Sequence, residues 1–163
     1  MHHFAVCPSA PLSYRHLPLA AIQDILKKKE AHLFTIHPEA SALDAATLMN
    51  DQHVGALIVV DQDRMVGIVS ERDLLRRVIA QRLEPAGTTV KQIMTEDVIC
   101  GLVDDQIDEV RQVMSEKRIR HLPVVDEQGK PVGMISIGDL NAWQLDGHAQ
   151  TIHYLHQYIH GAA

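Results

Sequence analysis

Two copies of a Ser-x-x-Asp motif carry the side chains that are best suited to binding a ligand. Ser70-x-x-Asp73 and Ser136-x-x-Asp139 each follow an apolar run with a central glycine, where the apolar spacing becomes helical. One ionised carboxylate can accept hydrogen bonds from both vicinal hydroxyls of a ribose. The serine and the free N–H groups of the helix start can face a phosphate. The motif therefore suits a nucleotide, with the aspartates at the ribose and the serines at the phosphate.

The same four residues also fit a purely structural role. In a capping box the serine accepts from a backbone N–H of the first helical turn, and the carboxylate accepts from the serine's own N–H. The pattern alone leaves both roles open. Within the motif the copies differ, with Glu71-Arg72 in the first and Ile137-Gly138 in the second. Arg72 could reach a phosphate or could be a solvated surface charge, so we expect two sites that are not equivalent.

Each motif ends a longer phrase that occurs twice. LIVVDQDRMVGIVSERDLL begins at Leu57 and LPVVDEQGKPVGMISIGDL begins at Leu122. In each copy a short strand and a helix precede two β-branched strands joined by a polar turn, and another helix follows. Units of about 60 residues are marginally stable alone. The sequence therefore predicts an α/β (α+β) fold of two β-α-β-β-α repeats packed as a pseudo-two-fold pair.

The chain divides by composition into five segments. We expect an irregular lead-in over residues 1–20, the repeats over 21–83 and 90–145, a linker over 84–89, and an amphipathic helix over 146–163. The first strands of the repeats are predicted at 33–36 and 98–100. The helix of the second repeat is predicted to start at Asp104-Asp105, with Ile107, Val110 and Met114 on its apolar face.

Bulk properties exclude several classes of function. A formal charge of −6 over 163 residues argues against a broad nucleic-acid or anionic-membrane surface. No apolar stretch is long enough for a membrane span, the N-terminus lacks a signal-peptide pattern, and the two cysteines have no metal or redox spacing. We expect a soluble, cytoplasmic protein. Since no nucleophile–base set, P-loop or Rossmann glycine motif is recognisable, we expect that it is not an enzyme.

The doubled phrases resemble the CBS domain, arranged as a tandem pair called a Bateman module. The resemblance covers about residues 21–142 and is carried by VGIVSERDL, VGMISIGDL and RIRHLPVVD. It implies binding of an adenosine ligand (AMP, for preference, or ADP, ATP, NAD or S-adenosylmethionine) in clefts between the copies. It also implies regulation of another protein, although no barrel enzyme, transporter or kinase-type sequence accompanies the pair here.

The resemblance favours ribose binding by Asp73 and Asp139, and it implies phosphate-binding cations just before the Leu-Pro of the second copy. Arg120 and His121 lie there, whereas the first copy has His53-Val54-Gly55-Ala56. We hypothesise a cleft across the repeats that combines these cations with the first motif. The alternative for Arg120 is a strand-edge charge.

The resemblance also implies an adenine pocket near the first strands of the repeats. Backbone groups would read the purine edge, and apolar side chains would form the walls. The residues assigned to this pocket are Thr35, Ile36, Pro38, Val54, Ile58, Cys100, Ile119 and Pro123. Most of the apolar ones are also good core residues.

The C-terminal end is rich in histidine. His153, His156 and His160 would share one helical face, which suits a metal, but Ile152, Leu155 and Ile159 form an apolar face beside it. We favour helix packing in a homodimer and assign no metal site.

Two functions remain open from the sequence. The first is a regulatory sensor of an adenine nucleotide that signals to an unknown effector protein. The alternative is a constitutive protein-interaction or dimerisation module without a functional ligand site.

Overall fold

The computed structural model describes residues 20–29 and 33–146, which form two repeats of the same architecture. The first repeat contains one three-stranded sheet and the second contains another. The elements of the first are β1 (Thr35–Ile36), α2 (Ala42–Gln52), β2 (Ala56–Asp61), β3 (Arg64–Ser70) and α3 (Glu71–Asp73), which continues as a π-helical segment, Leu74–Ile79. The elements of the second are β4 (Gly101–Leu102), α5 (Ile107–Glu116), β5 (His121–Val125), β6 (Pro131–Ser136) and α6 (residues 137–146). Two short helices precede the repeats, α1 (Ile22–Lys28) and α4 (Val90–Ile93).

The two sheets have the same topology. Their strand orders are β1-β2-β3 and β4-β5-β6, with the first pair parallel and the second antiparallel in each sheet. The central strands are almost fully buried, because Leu57, Ile58 and Val59 in β2 face apolar neighbours on both sides. This confirms the predicted mixed fold of two β-α-β-β-α repeats.

The two short helices are exchanged between the repeats. Ile22 and Ile25 of α1 belong to the apolar core of the second repeat, whereas Val90 and Ile93 of α4 belong to that of the first. Backbone hydrogen bonds fix the exchange: Ile22 N donates to Asp105 O at 2.9 Å. Each repeat's core is thus completed by the helix that precedes the other, so the pair forms one interlocked unit.

The early strand and the helix start of the second repeat were predicted wrongly. Residues 98–100 form no strand, and β4 lies at Gly101–Leu102 instead. Asp105 does not begin the helix, because its Oδ2 accepts a hydrogen bond from Leu102 N at 2.8 Å. That bond holds the turn between β4 and α5, and Gln106 is the N-cap. The predicted apolar face of α5 is confirmed as buried.

In the first repeat, the strand predicted over residues 33–36 is shorter than expected, since β1 spans Thr35–Ile36, although Phe34 O also accepts from Ile58 N of β2 at 3.2 Å. No helix within residues 20–29 and 33–146 is long and apolar enough to cross a membrane.

Candidate functional site

The first Ser-x-x-Asp motif forms a capping box at the start of α3. Asp73 Oδ2 accepts from Ser70 N at 2.9 Å and from Ser70 Oγ at 2.6 Å. Arg77 Nε lies 3.6 Å from Asp73 Oδ1, and the aspartate side chain is only 15% exposed. Arg77 also donates to the carbonyl oxygens of Ile93 and Met94, so it links this motif to α4.

The second motif has the same cap but a different cation. Asp139 Oδ2 accepts from Ser136 N and from Ser136 Oγ, each at 2.7 Å, and from Lys29 Nζ at 2.8 Å. Burial alone would raise the pKa of Asp139, but the hydrogen bonds from Lys29 and Ser136 outweigh it and hold that pKa below its ordinary value. Within the described residues, Oδ1 of Asp139 accepts no hydrogen bond, so it can receive one from a ligand.

A cavity of about 510 Å³ lies between the two repeats. It is lined by Met49, Asn50, His53, Val54, Gly55, Glu71, Arg120, His121, Ser136, Ile137 and Gly138. His53 and Arg118 both have positive φ angles just beyond α2 and α5, and His53 lines the cavity. These left-handed residues end the helices and turn the chain into the central strands. The two segments before β2 and β5 therefore meet in one cleft.

His121 and Glu71 both line this cavity and both lie beside Gly55. A Cβ atom on Gly55 would lie 3.2 Å from His121 Cε1 and 3.4 Å from Glu71 Oε2, so the close approach leaves little room for a larger residue there. Burial lowers the pKa of His121, and the nearby Arg120 lowers it further, whereas Glu71 opposes the shift. The imidazole is therefore mainly neutral at pH 7.

The structure places three of the predicted phosphate ligands on this cavity. Ser136, Arg120 and His121 line it, whereas Ser70 and Arg72 do not. Ile137 N donates to Arg120 O at 3.0 Å, which holds the second motif next to the cations. Of the first motif only Glu71 lines this cavity, whereas Ser70 and Asp73 do not, and the hypothesised grouping of Arg120 and His121 with Ser70 and Asp73 stays a prediction.

Two charged residues near the motifs were missed by sequence reasoning. Glu71, whose backbone N donates to Gly55 O, lines the cavity, whereas Arg72 does not. Lys29, which pairs with Asp139, was assigned no role from the sequence. The internal repeat could have indicated Lys29. In the second repeat, α1 occupies the place that α4 occupies in the first.

The residues of the first repeat predicted to line an adenine pocket are dispersed. Val54 lines the inter-repeat cavity. Thr35 is exposed on β1, while Ile36 and Ile58 are buried in the sheet. Pro38 is buried, and its carbonyl oxygen accepts from Lys91 N at 2.8 Å. The structure therefore brings only one of these five to the cavity that holds Arg120.

The corresponding residues of the second repeat lie elsewhere too. Ile119 packs against the second core and Pro123 is buried in β5. Cys100 lines another cavity of about 520 Å³ within the second repeat, and burial raises the pKa of its thiol. That cavity is lined by Ile99, Cys100, Gly101, Leu102, Asp105, Glu109, Val110, Val113, Leu122, Val125, Asp126, Glu127 and Gly129.

Among residues 20–29 and 33–146, no group of three or more histidine, cysteine or acidic side chains is placed to hold a metal ion. The histidine-rich segment around His153, His156 and His160 lies outside the described residues.

Comparison with known proteins places this geometry in a family. The CBS domain model matches residues 22–80 and 90–146. The CBS domain-containing protein YhcV of Bacillus subtilis is 32% identical over 146 residues, which cover 87% of this chain and 100% of that protein.

Two similar solved structures contain adenosine compounds. The CBS domain pair of protein MJ0100, in complex with 5'-methylthioadenosine and S-adenosyl-L-methionine, has a TM-score of 0.70 and 30% identity, covering 81% of this chain and 99% of that chain. The CBS domain protein PAE2072 from Pyrobaculum aerophilum, complexed with AMP, has a TM-score of 0.67 and 29% identity, covering 74% of this chain and 89% of that chain.

Proposed function

The chain belongs to the CBS-domain family, and we propose that it is a regulatory module that binds an adenosine ligand between its two repeats and signals to a partner protein. The observation that carries this proposal is the joining of Arg120 and His121 to Ser136 in one cavity. Its volume of about 510 Å³ lies within the usual range for small-ligand pockets.

Ser136, Ile137 and Gly138 line the cavity and Asp139 follows them without lining it, so the proposal assigns roles to residues at the cavity and next to it. Asp139 accepts the ribose hydroxyls through Oδ1, since Oδ2 is already used by Ser136 and Lys29. Arg120 binds the phosphate, which a guanidinium does well because its donors match phosphate oxygens in pairs. Val54 offers an apolar contact to the base. AMP is the preferred ligand, with NAD, ADP, ATP or S-adenosylmethionine as the other members of the class.

Nucleotides that copurify with the protein provide the first test. The purified protein is denatured, and the released small molecules are identified by mass spectrometry. An adenosine compound at a substantial fraction of the protein concentration supports the proposal. The same stripped protein is then titrated with AMP, ATP, NAD and S-adenosylmethionine, and the absence of binding by all four overturns it.

One observation favours the alternative of a constitutive interaction module. Both motif carboxylates already have cationic partners, Arg77 for Asp73 and Lys29 for Asp139. In that case the motifs serve only as helix caps, and the protein regulates nothing through a ligand. The titration separates the two functions.

A homodimer is the second part of the proposal. Leu75, Ile79 and Leu145 are large apolar side chains that are each at least 60% exposed. Leu75 and Ile79 lie one turn apart on the π-helical segment, so they form a patch that a second copy would bury. Sedimentation of the wild type and of Leu75→Gln tests this, since the variant is expected to be monomeric at concentrations where the wild type is dimeric.

A further inference from the structure

We infer that Glu71 sets the specificity of the inter-repeat cavity, favouring an adenosine ligand with at most one phosphate over a diphosphate or triphosphate. This inference rests on the proposed function, because it concerns which adenosine ligand the cavity takes. The starting observation is that the carboxylate of Glu71 lines the cavity, whereas a site for a polyphosphate is expected to carry only cations there.

The backbone holds Glu71 at the cavity. Glu71 N donates to Gly55 O at 3.1 Å, which ties the first residue of α3 to the segment before β2. The carboxylate then lies beside Gly55, with Oε2 3.4 Å from the Cβ position of that glycine. The ring of His121 meets the same position at 3.2 and 3.3 Å. Glu71 and His121 therefore share one small region of the cleft.

The charges of this region nearly cancel. Of the residues that line the cavity, Glu71 and Arg120 are the two with opposite full charges at pH 7, while His121 is mainly neutral because its pKa is lowered. A single phosphate ester carries about −1.5 to −2 at this pH, and Arg120 can pair with it. Each further phosphate brings more negative charge into a cleft whose lining holds no second full positive charge and one carboxylate, while the nearby Lys29 is already paired with Asp139.

The two repeats carry different residues at the position that follows the motif serine. The difference separates the effect of the carboxylate from the effect of the position. Ile137 occupies in the second motif the place that Glu71 occupies in the first, and both line the cavity. One of two related positions is thus apolar and the other acidic. If Glu71 were only a helix-start residue facing solvent, replacing its charge would change the affinity for all adenosine ligands equally or not at all.

The test is a titration of AMP, ADP and ATP into nucleotide-stripped wild type, Glu71→Gln and Glu71→Ile. Glu84→Gln is the matched control, because it removes the same charge from an exposed linker residue that lines neither cavity. Both Glu71 variants are expected to bind ATP roughly tenfold more tightly than the wild type does. Their affinity for AMP is expected to change by less than about threefold, and the control is expected to bind like the wild type.

The outcomes separate this inference from the function on which it rests. Binding of AMP by the wild type, with equal changes for AMP and ATP or no change in the Glu71 variants, overturns the inference and leaves the function standing. Failure of every variant to bind any of the three nucleotides, with native circular dichroism, overturns both. A tenfold gain confined to ATP and ADP establishes Glu71 as the discriminating residue.

Discussion

Lys29 Nζ lies 2.8 Å from Asp139 Oδ2, although the two residues belong to opposite ends of the described chain. Lys29 follows α1, which packs in the core of the second repeat, and Asp139 begins the last helix of that repeat. The exchanged helix therefore supplies a charge to the proposed ribose carboxylate as well as apolar surface to the core. Ligand binding and the docking of α1 are physically connected through this pair.

Replacing Lys29 should weaken the fold in a pH-dependent way. The pKa of Asp139 is lower in the folded protein than its ordinary value, so its contribution to stability is present above that value and is lost as pH falls through the folded pKa. Because Lys29 is 41% exposed, Lys29→Met should cost at most about 1 kcal/mol at pH 7 and much less near pH 3.

Urea unfolding at the two pH values measures this difference. Lys27→Met is the control, since Lys27 donates to Gln23 and not to Asp139. An equal loss of stability at pH 7 and pH 3 would show that the ion pair with Asp139 is not the cause.

The exchange of helices predicts a strict limit on the side chain at Gly67. A Cβ on Gly67 would lie 2.8 Å from Met94 Sδ and 2.9 Å from the carbonyl oxygen of Thr95, so Gly67→Ala must displace the segment after α4. We expect a loss of about 1–3 kcal/mol in the free energy of unfolding. Gly87→Ala is the matched control, because its nearest atom would be 3.8 Å away. Thermal or urea unfolding that ranks the two variants equally would contradict the packing of α4 on β3.

The pH dependence of binding should report on His121. In the unliganded protein its pKa is lowered, so this group gives its full stability above the ordinary value of about 6.5 and loses it as pH falls towards the folded pKa. A bound phosphate favours the imidazolium, so AMP binding should take up a proton and become tighter as pH falls from 8 to 6.

Comparison with His121→Gln isolates this effect, because protonation of the phosphate itself is common to both proteins. The ratio of wild-type to variant affinity should increase as the pH falls. A ratio that is constant from pH 8 to pH 6 would mean that His121 does not face the phosphate.

The sequence predicted local features well and long-range placement less well. The capping boxes at Ser70 and Ser136 are formed, because they depend on residues three positions apart. The apolar runs separated by polar turns likewise predicted the positions of β2 and β5. Residues 98–100 were wrongly predicted as a strand, because strand propensity does not decide which residues of a short edge strand pair with the neighbouring strand. In the structure, Gly101 pairs with Val124 of β5.

The site residues that were missed depend on geometry that spacing does not contain. Whether Glu71 or Arg72 faces the cavity is decided by the hydrogen bond from Glu71 N to Gly55 O. The contact of Lys29 with Asp139 depends on the helix exchange, which joins residues far apart in the chain. The predicted assignments of the ribose, phosphate and adenine contacts stay predictions until a ligand is bound.

The most direct test of the central claim is calorimetric titration of AMP into the nucleotide-stripped wild type, Asp139→Asn and Arg120→Ala. Arg64→Ala, at the exposed first residue of β3, is the control. We expect saturable binding by the wild type and the control, and binding at least about tenfold weaker in both site variants. Undiminished binding by Asp139→Asn and Arg120→Ala, or no binding by the folded wild type, would contradict it.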